Sequence, residues 1–409
     1  MTEWKTVKLG DICSISTGKR PLNKETHISQ KYPIPVYGGN GISWFTNETL
    51  LDKPVILTGR VGTIGTLYRV KKPCWVSDNA LLISPKRANF DFVFYILKLS
   101  NFTALNRGST QPLITQTDVK NLEIPLPPLD VQKRIAGILG ALDDQIDVLR
   151  RENVVLEQMA QAMFQSWFVD FDIVRAKAAG TPESEVCEKY HITPELYALF
   201  PSALTPDNLP LGWEKKKLGD ISQYSKEKTT NVNIETYVST ENMLPNYGGI
   251  EKASSVPETE QSTRYKAGNV LISNIRPYFK KIWFADREGS CSNDVLVFSS
   301  NSIGKCMLYS ILAQDAFFDF VMSGANGDKM PRGNKKHIMT YPVIFPNMDL
   351  LNKFENLVAS LFDKKSKNAQ QIRALSATRD ALLPQLLGGK IDVENVPLLS
   401  VNEEDILKN

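Results

Sequence analysis

Two stretches of the chain place apolar residues at every seventh position. In the first, Ile135, Leu142, Leu149, Leu156 and Met163 recur in one register, with Ile138, Leu139, Ile146, Met159 and Ala160 filling flanking positions. That stripe predicts a long amphipathic helix over 131–177. In the second, Phe354, Leu361, Leu375 and Leu382 share a register, with Leu357, Val358 and Ile372 beside them, which predicts a second long helix over 348–390. Asn368 holds one seam position, as a polar residue does where register must be set. A helix of about 47 residues reaches about 70 Å at 1.5 Å per residue. Each helix either packs on its own domain or buries its stripe against the other. Length favours the second, an antiparallel coiled-coil-like pair.

Outside the helices the apolar runs are short and broken by Gly, Asn and Pro. Pro54-Val55-Ile56-Leu57-Thr58, Ala80-Leu81-Leu82-Ile83-Ser84, Val270-Leu271-Ile272-Ser273 and Val295-Leu296-Val297-Phe298 read as strands. They belong to two mixed α/β (α+β) modules in tandem, over 1–130 and 211–347. Between them, 178–210 carries Pro182, Pro194, Pro201, Pro206 and Pro210 and reads as a connector with one short helix. Residues 391–409 read as a C-terminal tail.

The chain is also built twice. Trp4-Lys5-Thr6-Val7-Lys8-Leu9-Gly10-Asp11-Ile12 returns as Trp213-Glu214-Lys215-Lys216-Lys217-Leu218-Gly219-Asp220-Ile221, a W-x-x-x-K-L-G-D-I pattern. Ile124-Pro125-Leu126-Pro127-Pro128-Leu129-Asp130 closes the first module, as Val343-Ile344-Phe345-Pro346-Asn347-Met348-Asp349 closes the second. A long helix follows each. This order of module, proline stop and helix implies a pseudo-two-fold internal repeat.

Composition narrows the chemistry. The 42% apolar and 23% charged residues of this 409-residue chain argue for folded domains, and its length for two or three of them. No apolar run approaches the roughly 20 residues of a membrane span, and Met1-Thr2-Glu3-Trp4 does not open a signal peptide, so a cytoplasmic protein is expected. Five scattered cysteines make no C-x-x-C pair, and His27, His191 and His337 stand too far apart for an H-x-x-x-H site, so neither a disulfide framework nor a structural metal is expected. There is no G-x-x-x-x-G-K-[ST] phosphate loop, and Tyr37-Gly38-Gly39-Asn40-Gly41 reads as a turn. Asn274-Ile275-Arg276-Pro277-Tyr278-Phe279 lacks the paired prolines with which amino-methyltransferases grip a flipped base. The catalytic set is therefore expected to be empty, and the chain reads as a binder.

A net charge of +3 neither demands nor excludes a nucleic-acid partner, because a basic face can be offset elsewhere. Local composition says more. The first module sets Arg60 and Thr63 among glycines, then Arg107, Ser109, Thr110 and Gln111 in Asn106–Pro112. The second has Arg276, Tyr278, Lys280 and Lys281 in one run and Lys329, Arg332, Asn334 and Lys335 in another. Glycines let backbone approach a phosphate, and Arg and Gln offer paired hydrogen bonds to base edges. These fourteen residues are the expected contacts to double-stranded DNA. Like modules on opposed helices fit a bipartite, asymmetric target with unread base pairs between its halves. For protein partners, the expected contacts are the seam residues Leu142, Leu149, Leu156, Leu361 and Leu375, with the aromatics Trp167 and Phe168.

The chain resembles, over nearly its full length, the specificity subunit of Type I restriction–modification systems. The twin W-x-x-x-K-L-G-D-I openings carry the resemblance, together with Gly108-Ser109-Thr110-Gln111-Pro112-Leu113-Ile114, Ser166-Trp167-Phe168-Val169-Asp170-Phe171-Asp172, Leu199-Phe200-Pro201 and Leu382-Leu383-Pro384-Gln385-Leu386-Leu387. It implies two target-recognition domains alternating with two helical regions, and no catalysis in this chain. It further implies two modification subunits that methylate adenine N6 with S-adenosylmethionine, and restriction (motor-nuclease) subunits that use ATP and magnesium. Those cofactors would belong to the partners. The alternative is a DNA enzyme, nuclease or methyltransferase, carrying its own recognition domains.

Overall fold

The computed structural model describes residues 4–61, 64–100, 102–105, 113–257, 261–394 and 396. It divides into two compact units: unit 1 holds Met1–Val148 and Ile372–Asn409, and unit 2 holds Leu149–Gln371.

In unit 1, strand β1 (Lys5–Lys8) leads into a one-turn helix α1 (Leu9–Ile12) and then β2 (Cys13–Thr17), β3 (Ile34–Gly38), β4 (Gly41–Thr46), β5 (Val55–Gly59), β6 (Leu67–Val70), β7 (Trp75–Val76) and β8 (Ala80–Pro85). Helices α2 (Phe90–Leu99) and α3 (Gln116–Lys120) follow, then β9 (Glu123–Leu126) and the long helix α4 (Leu129–Phe164). An antiparallel sheet runs β2-β8-β5-β6, and a smaller one runs β4-β3-β7 with β3 and β7 parallel. Strand β5 is buried throughout because both of its faces are covered, which explains its unbroken apolar run. Ile56, Leu81 and Ile83 face a core shared with α2, Ile135 and Leu139 of α4, and Leu383, Leu386 and Leu387. Val55, Leu57 and Leu82 face a second core with Val70 and Val76. Caps set the helix starts: Asn89 accepts from the Phe92 amide, and Thr115 and Asp118 form a reciprocal capping box.

Unit 2 takes α4 onward from Leu149, then α5 (Asp172–Ala178), α6 (Glu183–Tyr190) and α7 (Pro194–Ala198). The second module comprises β10 (Glu214–Lys217), α8 (Leu218–Ile221), β11 (Ser222–Tyr224), β12 (Lys228–Thr229), β13 (Tyr237–Val238), β14 (Ser262–Tyr265), β15 (Val270–Ser273), β16 (Ile282–Phe284), β17 (Gly289–Cys291) and β18 (Val295–Ser300). Helices α9 (Lys305–Leu312), α10 (Asp315–Ser323) and α11 (Lys335–Ile338), strand β19 (Pro342–Phe345) and the long helix α12 (Met348–Leu387) complete the chain order. One sheet runs β11-β18-β15-β16, antiparallel throughout, and the other β12-β14-β17-β13 with one parallel pair. Both K-L-G-D-I copies fold alike. The strand before each pairs with the strand that precedes a long helix (β1 with β9, β10 with β19), and Leu-Gly-Asp-Ile makes the one-turn helix after it.

The long helices meet inside each unit, and in each they run in opposite directions. In unit 1, Arg379 of α12 pairs with Asp143 of α4 at 2.7 Å. In unit 2, Lys365 pairs with Glu157 and Lys364 with Glu152, while Phe354 packs on Phe164. The seam residue Asn368 is buried and donates to Glu152 at 2.8 Å and to Asn153 at 3.0 Å.

Three expectations need correction. The first helix does not run to residue 177. α4 ends at Phe164, Gln165–Val169 form a wider π-helical turn, and Phe171 takes a left-handed conformation (φ 57°) before α5. Trp167 and Phe168 lie in that turn and are buried. Second, 178–210 holds two short helices where one was expected, and it is packed: Val186, Ile192, Leu196 and Phe200 lie in the core of unit 2, and Pro194 starts α7 with Thr193 as its cap. Third, the second helix stops at Leu387, short of residue 390, with Gly389 left-handed beyond it (φ 66°). Part of the expected tail is also packed: Val393 is buried in the unit 1 core.

Candidate nucleic-acid interface

The second module brings several of its predicted contacts together. Past the end of β15, Ile275 pairs as an isolated bridge with Arg332, and the Arg276 amide donates to Pro331 O at 2.8 Å. Asn326 and Arg332 exchange both backbone hydrogen bonds at 2.9 Å, closing the loop that carries Lys329. Arg276, Arg332 and Lys329 are thus exposed on two strapped segments, with Tyr278 on the same turn as Arg276. The Arg332 guanidinium touches Asp294 at 3.4 Å, a half-exposed pair that contributes at most about 1 kcal/mol and leaves donors for a ligand. Arg276 and Lys280 both adopt left-handed backbone (φ 50° each) around the Pro277–Phe279 turn, a conformation that costs a non-glycine residue on the order of 1 kcal/mol.

Other predicted residues are diverted. Lys280 pairs with Asp315 at 2.6 Å, and Lys281 donates to Thr240 O at 2.6 Å, where burial pulls its ammonium below the ordinary lysine range. The Asn334 side chain is the N-cap of α11, accepting from the Lys336 and His337 amides. Its amide therefore serves the fold, because a cap satisfies helix donors that would otherwise go unpaired. Lys335 is exposed, and its carbonyl accepts from the Tyr224 hydroxyl.

In the first module, just past β5 and at the place that Asn274 holds past β15, stands Arg60. Its amide donates to Asn79 O at 3.0 Å and its carbonyl accepts from Ile114 at 3.0 Å, while Val61 bridges Leu113. The exits of β5 and β15 are each strapped by a later segment, and each presents an arginine. Thr63, Arg107, Ser109, Thr110 and Gln111 lie outside the described residues. Beside Arg60 is a cavity of about 320 Å³ lined by Gly38, Gly39, Asn40, Trp44, Val61 and Asn79 among others. Lys24 covers the Trp44 ring at 3.5 Å from its centroid, held there by the pairing of Glu25 with Phe45. Reading along the chain missed this pair, because twenty residues and a turn separate the partners. The glycine-rich Tyr37–Gly41 run is the β3–β4 turn, with Gly41 at φ 91°.

The predicted partner-contact aromatics are not on the surface. Trp167 and Phe168 are 4% and 3% exposed. Their rings pack on Phe354 at 5.7 and 5.1 Å, Trp167 also on Phe200 and Phe168 on Trp213. Burying these large rings in one aromatic cluster stabilises unit 2 and leaves no face for another chain. Leu149 is buried, and Leu142, Leu156, Leu361 and Leu375 are half-buried. Among the large apolar side chains that α4 exposes are Leu129 at its start and Val148, Val154, Val155 and Met159 further along. Among the described residues no helix is long and apolar enough to cross a membrane.

Strapped loops with an arginine beside the same strand exit in two modules suit one class of protein, a binder of nucleic acid. Comparison with known proteins narrows it. Residues 1–158 match the Type I restriction modification DNA specificity domain. The chain is 23% identical to the Type I restriction enzyme MjaIX specificity subunit of Methanocaldococcus jannaschii, over 96% of this chain and 95% of that one. It is 25% identical to the Type I restriction enzyme HindI specificity subunit of Haemophilus influenzae, over 96% of this chain and all of that one. The crystal structure of a Type I restriction–modification system S subunit from M. genitalium shares its fold, with a TM-score of 0.54 at 18% identity, over 94% of this chain and 96% of that one. Residues 1–158 thus match the Type I restriction modification DNA specificity domain, and nearly the whole chain is similar to specificity subunits of Type I restriction enzymes.

Proposed function

We propose that the chain reads a bipartite, asymmetric DNA target, one half by each module, and performs no catalysis itself. The observation that carries this reading is that a later segment straps the exits of β5 and β15 in the same way, with an arginine within three residues of each strand, Arg60 and Arg276. Differing residues on a like framework give each half-site its own base string, since direct readout depends on which donors reach the base edges. The reading modules span 1–130 and 211–347, related by a pseudo-two-fold repeat. The helices α4 and α12 form one antiparallel coiled-coil-like spacer that sets the unread base pairs between the halves. Two modification subunits dock on this scaffold and methylate adenine N6 with S-adenosylmethionine. Restriction subunits add ATP- and magnesium-dependent cleavage, in the cytoplasm. The exposed apolar residues of α4 suit such docking better than Trp167 and Phe168, which the fold has already used.

Genome-wide mapping of methylated adenines, with and without this chain, is the direct test. A two-part motif that vanishes with the chain supports the proposal. Methylation or cleavage by the isolated chain, supplied with S-adenosylmethionine or with ATP and magnesium, would refute it.

A further inference from the structure

The turn between β15 and β16 exposes two large aromatic rings on a rigid base. Tyr278 is 46% and Phe279 38% exposed, and their rings lie 4.7 Å apart. Beneath them the backbone is tied down on both sides. Phe279 N donates to Arg276 O, Lys280 N to Pro277 O at 2.8 Å, Asn246 N to Phe279 O at 2.8 Å and Tyr247 N to Lys280 O. Pro277 is buried and Lys280 is held by Asp315. Two non-glycine residues in left-handed backbone bracket the pair, and such strain persists only where the surroundings enforce it. Arg276 lies on the same turn, and Arg332 on the segment strapped to it.

Exposed aromatic rings on a turn that also carries Arg276, with Arg332 on the segment strapped to it, match the chemistry of stacked, anionic bases better than that of a protein surface. A side chain inserted at a base step loses water from its faces while the flanking cations hold the phosphates. We propose that Tyr278 and Phe279 form a wedge that enters the DNA at the second half-site and partly unstacks one base step there. This rests on the proposed DNA-reading function and adds a mode of recognition. The second module then selects sequence partly by how readily a step opens, as well as by base-edge hydrogen bonds. In sequence, the run that follows β5 in the first module, Arg60-Val61-Gly62-Thr63-Ile64, contains no aromatic residue, so the wedge is assigned to one half only.

The test uses the full chain and a duplex bearing its mapped target, with 2-aminopurine placed at successive positions of both half-sites. Binding should raise the fluorescence at one step of the second half-site and nowhere in the first. The Tyr278→Ala/Phe279→Ala variant should lose that signal and bind about 10-fold or more weakly, with the salt dependence unchanged, because stacking releases no counterions. Tyr278→Phe keeps the ring and should keep the signal. Wild-type binding with flat fluorescence throughout would overturn the wedge, and so would unaltered affinity and signal in the double alanine variant. Failure of the wild-type chain to bind the mapped duplex would instead overturn the DNA-reading function, and the wedge with it.

Discussion

Asp143 is the residue whose removal tests the helix seam of unit 1 most sharply. Its carboxylate accepts from Arg379 at 2.7 Å and from the Tyr95 hydroxyl at 2.8 Å, and it lies 3.9 Å from Arg69, so α4, α12, α2 and β6 meet at one group. The side chains of Asp143 and Arg379 are only 13% and 16% exposed. Burial works against ionisation of Asp143, but the hydrogen bonds from Arg379 and Tyr95 outweigh it and hold the carboxyl below its ordinary range. Asp143→Leu removes two charge-assisted bonds and strands part of a buried guanidinium, a change that costs about 3–5 kcal/mol when no partner remains. Arg379 keeps Asp380 at 2.7 Å, so we expect about 2–4 kcal/mol. For a unit of this size that lowers Tm by about 5–15 °C, and the loss should appear as faster hydrogen exchange in α2. Asp143→Leu/Arg379→Leu should recover most of it, since an ion pair replaced whole by apolar groups is close to neutral. The pH dependence follows from the depressed carboxyl. Its stabilisation is present above the unfolded aspartate pKa, roughly 4, and is lost as pH falls through the folded value. The gap between wild type and Asp143→Leu should therefore narrow in acid. If the two single substitutions simply add, or the gap is the same at low pH, the pair is not coupled and the reasoning fails.

Arg276→Ala and Arg332→Ala should each weaken binding to the mapped duplex and flatten the slope of log affinity against log salt by about one, measured by titration at several ionic strengths; Lys280→Ala, whose ammonium is tied to Asp315, should change the slope less. Adding or deleting seven residues in α4 should change the permitted spacer of the methylated motif and leave both half-site strings as they were, and altered half-site letters would count against a spacer role. The folded chain should react with iodoacetamide at pH 8 chiefly at the half-buried Cys187, because burial pushes the thiols of Cys13 and Cys291 up to about 12 and that of Cys74 to about 11, with all five thiols reacting in denaturant.

Period-seven spacing made the long helices legible, since Ile135, Leu139 and Phe354 must be buried wherever the rest of the chain goes. The repeat of K-L-G-D-I likewise marked two strand–turn units that fold alike. Periodicity failed at Gln165–Phe171, where the helix widens and then breaks at the left-handed Phe171. Prolines misled between 178 and 210, because Pro194 starts a helix there. At the candidate interface, composition found the cationic segments but not their geometry. The left-handed turn at Arg276 and Lys280 carries no Gly or Asn to announce it, and the capping role of Asn334 depends on where α11 begins. Lys24 and Trp44 come together only through the pairing of 25 with 45.

The contacts between the two long helices carry a consequence for how such a chain tolerates reshuffling. Every acid in the cited pairs (Asp143, Glu152, Glu157) sits on the earlier rod and every base (Lys364, Lys365, Arg379) on the later one. At these three places a rod with bases where the acids stand would set like charge against like. A module exchanged together with its rod therefore keeps these three pairs only if the newcomer carries the opposite sign there.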